Sequence, residues 1–424
     1  MIMAMIRPET EMKDSGIEWE KIVPIEWNKC RLKDYFEFEK GKNAQIYTKD
    51  YIGLHKGYFP VYSGQTENDG VMGEIDTYDY ELDECLFSTT VGAKVMTPKV
   101  LSGKFSLSQN CLIMRKIRKC VIRFVYYALF PLFDYERTKI PAYMQPSLRI
   151  EDLKSYKLYM PLYTEQQAIA DYLDETCSKI DEIIAEAKAS IVEYKELRES
   201  VISNATTRGI KKNRCMKPSG VEWLPEIPSD WNVLSPKVVF AQRKDRAIKG
   251  ERQLTASQKH GIMYQDDYMK EEGVRIVTVE KDFSILKHVE PDDFVISMRS
   301  FQGGLEYSYL RGCISSAYVM LIPNHKYVYS EYYKWFFKSD KYINALQSTS
   351  DLIRDGQALR YANFVKLKLF DIPIEEQKEI ADYLNKEVPK IDSLISEKES
   401  LINDLEAYKK SLIYEVVTGK RRVV

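Results

Sequence analysis

The side chains best suited to bind a ligand lie in one loop sequence, MRSFQGGLEYS, which begins at Met298. Arg299 could place its planar guanidinium group on a guanine edge, and Gln302 could pair with an adenine edge. Ser300 offers a hydroxyl group to a phosphate, while Gly303 and Gly304 allow the backbone to approach a duplex closely. The pattern favours reading a nucleic-acid groove, and the alternative is a plain β-hairpin in which the arginine forms a salt bridge.

A similar arrangement occurs in the first half of the chain. The sequence LFSTTVGAKV follows a predicted strand and places Gly92 and Lys94 where the glycine pair stands in the second half. GKFSLSQNC at 103–111 then matches GCISSAYVM at 312–320. Further DNA-contact candidates share a polar or basic side chain in a turn-rich or lysine-rich segment, for which a solvated surface or a domain cap is the alternative: Lys42, Ser63, Gln65, Gln109, Lys244, Arg354, Gln357 and Arg360.

Motifs for catalysis are missing from the sequence. It contains no G-x-x-x-x-G-K-[ST] phosphate loop, no G-x-G-x-x-G and no Pro-Pro pair of the kind found in DNA methyltransferase sites. E-x-K triplets of the nuclease type occur at 186–188 and 193–195, but both lie in a helical pattern where Glu and Lys form a solvated face. The four histidines are far apart. We therefore expect no catalytic site and no metal site in this chain.

The elements that must position these loops are present twice. SGIEWEKIVPIEW at 15–27 returns as SGVEWLPEIPSDW at 219–231, and we call each copy a Trp-pair motif. EQQAIADYLDETCSKIDEII at 165–184 returns as EQKEIADYLNKEVPKIDSLI at 376–395. At this second offset of 211, 16 of the 43 positions from Glu165 to Thr207 are identical. Each half is therefore a globular α+β domain followed by a helical segment.

The helical segments carry a coiled-coil seam. Their apolar residues recur in steps of three and four, which predicts two long helices that pair with each other in antiparallel orientation. Ser178 suits a helix N-cap, and Pro389 suits the first turn of a helix. We therefore expect each segment to break into a short helix and a long one, with the long helices at 179–207 and 390–418. Each would span roughly 43 Å.

Charge and cysteine content bound the environment. The net charge of the 424 residues is −1, but residues 21–150 carry 19 Lys+Arg against 15 Asp+Glu, and residues 223–365 carry 19 against 18. This slight excess permits DNA binding without proving it. The seven cysteines are scattered and include no C-x-x-C, which favours a reducing cytoplasm. Neither a membrane span nor a typical signal peptide is expected.

The repeated EQ…IADYL…KID segment and the two Trp-pair motifs resemble the specificity subunit of type I restriction-modification systems. The resemblance implies an α+β fold with two target-recognition domains whose twisted, barrel-like sheets are separated by an intramolecular antiparallel coiled coil, with a pseudo-twofold repeat. The implied divisions are a recognition domain at 1–155, a central helical region at 156–217, a second recognition domain at 218–365 and a C-terminal helical region at 366–424.

The same resemblance implies the partners. Each recognition domain would read one half of a bipartite site in double-stranded DNA, and the helices would set the spacing and dock two methyltransferase subunits. Two restriction-translocase subunits could join them. S-adenosylmethionine, ATP and Mg²⁺ would be bound by those partners and not by this chain. On the helices, Ala170, Tyr172 and Tyr383 are candidate partner contacts.

Two other functions remain open from the residues alone. One is a self-contained DNA-modifying enzyme with an unrecognised site, against which the missing motifs weigh. The other is a coiled-coil scaffold whose globular domains bind proteins.

Overall fold

A computed structural model of the protein describes residues 4–65, 68–92, 95–141, 143–279, 283–297, 300–349 and 360–423. The helices in these ranges are α1 Lys49–Leu54, α2 Ile122–Thr138, α3 Ile150–Ser155, α4 Tyr163–Arg208, α5 Pro236–Val239, α6 Gln265–Glu272, α7 Ser300–Gly303, α8 Ser330–Phe336, α9 Asp340–Ser348, α10 Tyr361–Phe364 and α11 Ile374–Val417.

The strands of the first part of the chain are β1 Ala4–Ile6, β2 Met12–Asp14, β3 Ile22–Pro24, β4 Asn28–Arg31, β5 Phe36–Lys40, β6 Lys56–Tyr62, β7 Val71–Ile75, β8 Tyr80–Thr89, β9 Lys99–Leu107, β10 Cys111–Lys116 and β11 Lys157–Met160. Those that follow are β12 Met216–Pro218, β13 Glu226–Pro228, β14 Asn232–Leu234, β15 Phe240–Arg243, β16 Leu254–Ser257, β17 Gly261–Tyr264, β18 Lys287–Val289, β19 Phe294–Ile296, β20 Glu306–Tyr307, β21 Gly312–Ile314, β22 Val319–Pro323, β23 Leu369–Asp371 and β24 Arg421–Val423.

The chain divides into two compact units. Unit 1 comprises Met1–Lys188 and Ser400–Val424, and unit 2 comprises Ala189–Glu399. Each unit therefore holds one globular α+β domain together with a part of α4 and a part of α11. The predicted fold class is confirmed.

A six-stranded sheet forms the centre of the domain in unit 1, in the order β5-β10-β8-β9-β6-β7. Neighbouring strands are antiparallel except for β6 and β9, which are parallel. The sheet curls, which brings Gly41, just after β5, close to the end of β9. A Cβ atom on Gly41 would lie 2.5 Å from the Leu107 carbonyl oxygen. Helix α2 packs against β8 and β9, and its buried residues include Phe124 and Leu129.

Unit 2 has a smaller four-stranded sheet in the order β15-β22-β19-β20. Its core is strongly aromatic, with Phe240, Phe294 and Phe337 in mutual ring contact. Helix α8 adds Tyr332 and Phe336 to the same core. Aromatic rings bury large areas each, so a short sheet can still support a substantial core.

The two Trp-pair motifs fold alike. In each motif, the strand just before it forms a β-hairpin with a strand inside it. These pairs are β2 with β3 in unit 1 and β12 with β13 in unit 2. The strand that follows then pairs with the strand preceding a long helix, β4 with β11 and β14 with β23. The sequence repeat thus corresponds to a repeated set of strand pairs at the base of each long helix.

The predicted break within each helical segment is wrong. Helices α4 and α11 are continuous over 46 and 44 residues, and the longer of them extends about 69 Å at the usual rise. Ser178 lies inside α4, where its hydroxyl group donates to Glu182. Pro389 lies inside α11, beside the fully buried Val388. Continuous burial of the seam outweighs the loss of one backbone hydrogen bond at the proline.

The antiparallel pairing of the long helices is confirmed within each unit. In unit 1, Lys409 of α11 donates to Asp181 of α4 at 2.7 Å. In unit 2, Arg198 of α4 donates to Asp392 of α11 at 2.7 Å. Farther along the same helices, Lys188 pairs with Glu406 in unit 1 at 3.9 Å. In unit 2, a Cβ atom on Gly209 would lie 2.8 Å from Glu376. Within each unit the residue number therefore falls along α11 as it rises along α4, which only antiparallel helices allow.

Candidate nucleic-acid interface

In unit 1, a cleft of about 520 Å³ opens at one end of the sheet. It is formed by the segment after β5, the end of β8 and the turn between β9 and β10. Lys42 and Gln109, which the sequence proposes separately, share this cleft. Its lining is rich in ammonium and amide groups, which are donors and acceptors suited to phosphates and base edges: Lys40, Lys42, Asn43, Gln45, Thr90, Ser108, Gln109 and Asn110.

Asp79 holds the wall of this cleft in place. Its carboxylate accepts from Asn43 Nδ2 at 2.6 Å and from the Tyr47 hydroxyl at 2.8 Å, and its carbonyl accepts from Lys42 Nζ at 3.3 Å. The Lys42 ammonium also lies 4.6 Å from the centre of the Tyr80 ring. Burial raises the pKa of Tyr47 to about 12, so its hydroxyl stays protonated and keeps donating. The exposed Lys42 ammonium group therefore contacts both the Asp79 carbonyl and the Tyr80 ring.

Ser63 and Gln65 have internal roles in the loop after β6. Ser63 is buried, its amide donates to the Gly70 carbonyl at 2.8 Å, and its hydroxyl accepts from the Gln65 amide at 3.3 Å. Gln65 Nε2 donates to the Val71 carbonyl. Both side chains therefore shape this turn, and their contact with DNA stays a prediction.

The glycines of the two proposed loops differ in what they do. Gly92 has a φ of +102°, and a Cβ atom there would meet no described atom within 4 Å. Gly304 has a φ of +77°, and a Cβ atom there would lie 1.9 Å from the Phe337 carbonyl oxygen. A Cβ atom on Gly303 would likewise lie too close to a side chain, 2.7 Å from Gln258 Nε2. The glycine pair in unit 2 therefore has a packing role against its own domain, which the sequence interpretation missed.

The rest of the MRSFQGGLEYS loop is partly described. Ser300 is buried, and its hydroxyl accepts from the Ser297 amide at 2.8 Å, so it is held inside the turn that begins α7. Gln302 lies on the same short helix with its side chain exposed. Arg299 lies outside the described residues, as do Lys94, Arg354 and Gln357.

The basic candidates of unit 2 lie in two different segments. Lys244 is exposed, follows β15 and occupies the position that Lys40 has at the end of β5. Its neighbour Arg246 donates to the Ile285 carbonyl at 3.3 Å, and its charge joins burial in lowering the pKa of Lys287. Arg360 is exposed immediately before α10. Lys244 therefore places positive charge on unit 2 at the strand end that corresponds to the unit 1 cleft.

Sequence reasoning missed Asn43, Gln45 and Asn110. Asn43 and Gln45 continue the lysine-rich stretch that was identified, and their alternation of amide and apolar residues was the available signal. Asn110 has a φ of +63° in the turn before β10, a conformation that asparagine tolerates well. Only the fold brings this turn next to the segment after β5.

A second and larger cavity, of about 1110 Å³, lies in unit 1 where α2 meets α4 and α11. Tyr126 and Phe130 line it, and Tyr127 donates to Asp174 at 2.7 Å across its edge. The corresponding hydrogen bond in unit 2 joins Trp335 and Asn385, with Trp335 donating at 2.9 Å. Of the proposed partner contacts on the helices, Ala170 is buried, Tyr172 is half-buried and Tyr383 is exposed.

Within the described ranges, no group of three or more His, Cys, Asp or Glu side chains could hold a metal ion. Among the same residues, no helix is both long and apolar enough to cross a membrane.

Comparison with known proteins shows which proteins this chain is similar to. Residues 24–193 match the model of the type I restriction modification DNA specificity domain. The type I restriction enzyme MjaVIII specificity subunit of Methanocaldococcus jannaschii is 21% identical, over 100% of this chain and 98% of its own. A provisionally named MjaX specificity subunit of the same organism is 24% identical, over 95% of both chains. Over its whole length the chain is therefore similar to type I specificity subunits.

A solved structure has a fold like that of this chain. It is described as the structural basis underlying complex assembly and conformational transition of the type I R-M system. The likeness has a TM-score of 0.66 at 12% sequence identity, and it covers 93% of this chain and 98% of the other. The fold is thus shared over nearly the whole length of both chains.

Proposed function

We propose that this chain is the noncatalytic DNA-recognition component of a type I restriction-modification complex, in which each unit reads one half of a bipartite DNA site. The observation that carries the proposal is the duplication itself. Two domains of the same construction, each with lysines at the end of the corresponding strand, are built on one pair of antiparallel helices. Such a chain is suited to contact DNA at two places.

The helices have two proposed roles. They set the distance between the half-sites, because the recognition domains are attached at the bases of α4 and α11. They also dock two copies of a methyltransferase subunit, since a pseudo-twofold repeat presents an equivalent surface twice. Up to two restriction-translocase subunits complete the complex. S-adenosylmethionine is bound by the methyltransferase, and ATP with Mg²⁺ by the translocase, in the cytoplasm where the DNA lies.

The test is a methylome comparison. Host DNA is sequenced for methylated bases with the gene present, with it deleted and with it restored. We expect one bipartite motif to lose methylation on deletion and regain it on restoration. A motif that is continuous rather than split, or methylation that is unchanged by deletion, would contradict the proposal.

A second measurement separates this proposal from a self-contained enzyme. The purified chain alone should neither bind S-adenosylmethionine nor methylate a duplex carrying the motif, whereas its complex with the methyltransferase should do both. Methyl transfer by the chain alone would show that it carries its own catalytic site.

A further inference from the structure

The same two residues, Glu-Gln, lie in the first turn of both long helices. In unit 1, Glu165 accepts from Trp27 Nε1 at 3.1 Å and from Arg7 Nη2 at 2.8 Å. In unit 2, Glu376 makes the same two kinds of bond.

The Oε2 atom of Glu376 accepts from Trp231 Nε1 at 3.2 Å and from Arg214 Nη2 at 2.9 Å. Each Trp is the second tryptophan of a Trp-pair motif and is almost completely buried. The glutamate therefore ties the start of a long helix to the base of the recognition domain.

The glutamines that follow make a second set of bonds to the domain. Gln166 accepts from the Val121 amide at 2.9 Å and donates to the Pro161 carbonyl at 2.9 Å. Val121 is the N-cap residue immediately before α2. One carboxamide thus connects the first turn of a long helix with the N-cap of a domain helix.

Gln377 repeats this arrangement in unit 2. It accepts from the amide of Tyr329, the N-cap residue of α8, at 2.8 Å, and donates to the Ile372 carbonyl at 2.9 Å. Both glutamines are buried. Because a buried amide has no water to replace a lost partner, its hydrogen bonds hold one geometry strongly.

The end of the opposite helix meets each of these clusters. In unit 1, Arg7 Nε donates to the carbonyl of Gly419, which follows α11, at 3.0 Å. In unit 2, a Cβ atom on Gly209, which follows α4, would lie 2.8 Å from Glu376 Oε1. In each unit the domain base, the start of one long helix and the end of the other thus meet at one cluster of side chains.

We infer that these two clusters are joints that fix the orientation of each recognition domain on the helix pair, and that they make the protein strict about the spacer between its half-sites. The unit 1 joint is Arg7, Trp27, Glu165 and Gln166, and the unit 2 joint is Arg214, Trp231, Glu376 and Gln377. These are positioning residues. The inference rests on the proposed function, because it requires two half-sites.

The geometry of DNA shows why such a joint affects the spacer. One added base pair moves a half-site by about 3.4 Å along the duplex and rotates it by about 35° around the axis. A domain that can tilt on its helix can follow such a displacement, whereas a domain held at the first turns of two helices cannot. The length of the helices sets the preferred spacer length, and the joint sets how strongly the protein discriminates against spacers of other lengths.

The variant Gln166→Leu tests the joint. It keeps the volume of the side chain and removes both hydrogen bonds. Gln167→Leu is the matched control, because the neighbouring Gln167 is exposed and donates only within α4, to Asp171 at 2.8 Å. The assay uses the chain in complex with its methyltransferase and measures the Kd for duplexes whose spacer is the natural one, one base pair shorter or one longer.

We expect Gln166→Leu to lower the ratio between the Kd values for altered and natural spacers by about tenfold, the size of effect that two lost hydrogen bonds can produce. Gln167→Leu should leave this ratio unchanged. Glu165→Gln, which keeps an acceptor for Trp27 but loses the charge that faces Arg7, is the milder second variant and should change the ratio in the same direction. It keeps the test decisive if Gln166→Leu does not fold.

The outcomes separate the two proposals. Equal weakening on all three duplexes, or an unchanged ratio in the variants that fold, would show a merely structural role and overturn the joint. Failure of the wild-type complex to prefer any split site would instead overturn the proposed function.

Discussion

The two units use the same contacts to attach a domain to the helices, yet the faces around these contacts differ. Tyr127 donates to Asp174 in unit 1 where Trp335 donates to Asn385 in unit 2. The cavity beside the first pair is lined by Tyr126 and Phe130. At the corresponding positions, unit 2 has Lys334 and Lys338, which bind acidic side chains of their own domain. The geometry of attachment has thus been kept while the surface chemistry has diverged.

The joints differ in how the chain forms them. In unit 2 the helix end at Gly209 continues directly to Arg214. In unit 1 the arginine comes from the N-terminal segment and the helix end from the C-terminal one, and these are held together by the pairing of β1 with β24. An equivalent site is therefore built once by covalent continuity and once by strand pairing.

The largest expected difference between the joints concerns their ion pairs. The Glu376 side chain is 3% exposed and that of Glu165 is 23% exposed. Glu376→Ala leaves Arg214 without its buried partner and should lower the free energy of unfolding by about 3–5 kcal/mol. Glu165→Ala should lower the free energy of unfolding by a smaller amount, because water can replace the more exposed Glu165 carboxylate beside Arg7. Denaturant titrations followed by hydrogen exchange in each unit would measure both, and equal losses would contradict the comparison.

The Trp-pair motifs differ in charge at a buried position, where unit 1 has Glu20 and unit 2 has Leu224. Burial raises the pKa of Glu20 to about 8, although the Tyr159 backbone and Lys29 act in the opposite direction. The folded state therefore keeps a proton that the unfolded chain loses near pH 4.5. It follows that unit 1 loses stability as the pH rises from 4.5 to 8.

Replacing Glu20 with the residue of the other unit removes this dependence. Glu20→Leu should raise the free energy of unfolding by about 3 kcal/mol at pH 8 and change it much less at pH 4. Urea titrations at both pH values would measure the difference. A gain of equal size at the two pH values would show that packing, and not ionisation, distinguishes the motifs.

The loop glycines offer a smaller contrast. Gly304→Ala should destabilise unit 2 by about 2 kcal/mol, because the new methyl group meets the Phe337 carbonyl and φ is positive. Gly92→Ala has the same backbone problem without the steric one, and should cost about 1 kcal/mol. Thermal unfolding of both variants gives the comparison, which fails if Gly92→Ala is the more damaging change.

The smallest expected effects concern DNA affinity. If Lys42 in unit 1 and Lys244 in unit 2 each contact a phosphate, Lys42→Ala and Lys244→Ala should both weaken binding and reduce the slope of log K against log salt by about one. Titrations of the methyltransferase complex with a duplex of the methylated motif at several salt concentrations would measure the slopes. An unchanged slope for one variant would remove that lysine from the interface.

Much of the fold could be predicted from the chain. Repeated motifs predicted two similar units, and the steps of three and four predicted the paired helices, because both signals are carried by residues close together in sequence. The predicted breaks at Ser178 and Pro389 were wrong since local cap preferences were weighed without the seam that continues on either side. Lys42 and Gln109 were proposed one by one, but their shared cleft depends on how the sheet curls.

The sequence by itself determined the duplication, the antiparallel helix pair and the family resemblance. Only the tertiary structure decided what Gly304, Gln166 and Gln377 do. Their roles depend on atoms that lie tens of residues away along the chain, at Phe337, Val121 and Tyr329. Periodicity records which face of an element is buried, but a hydrogen bond between two elements exists only once packing has brought their first turns together.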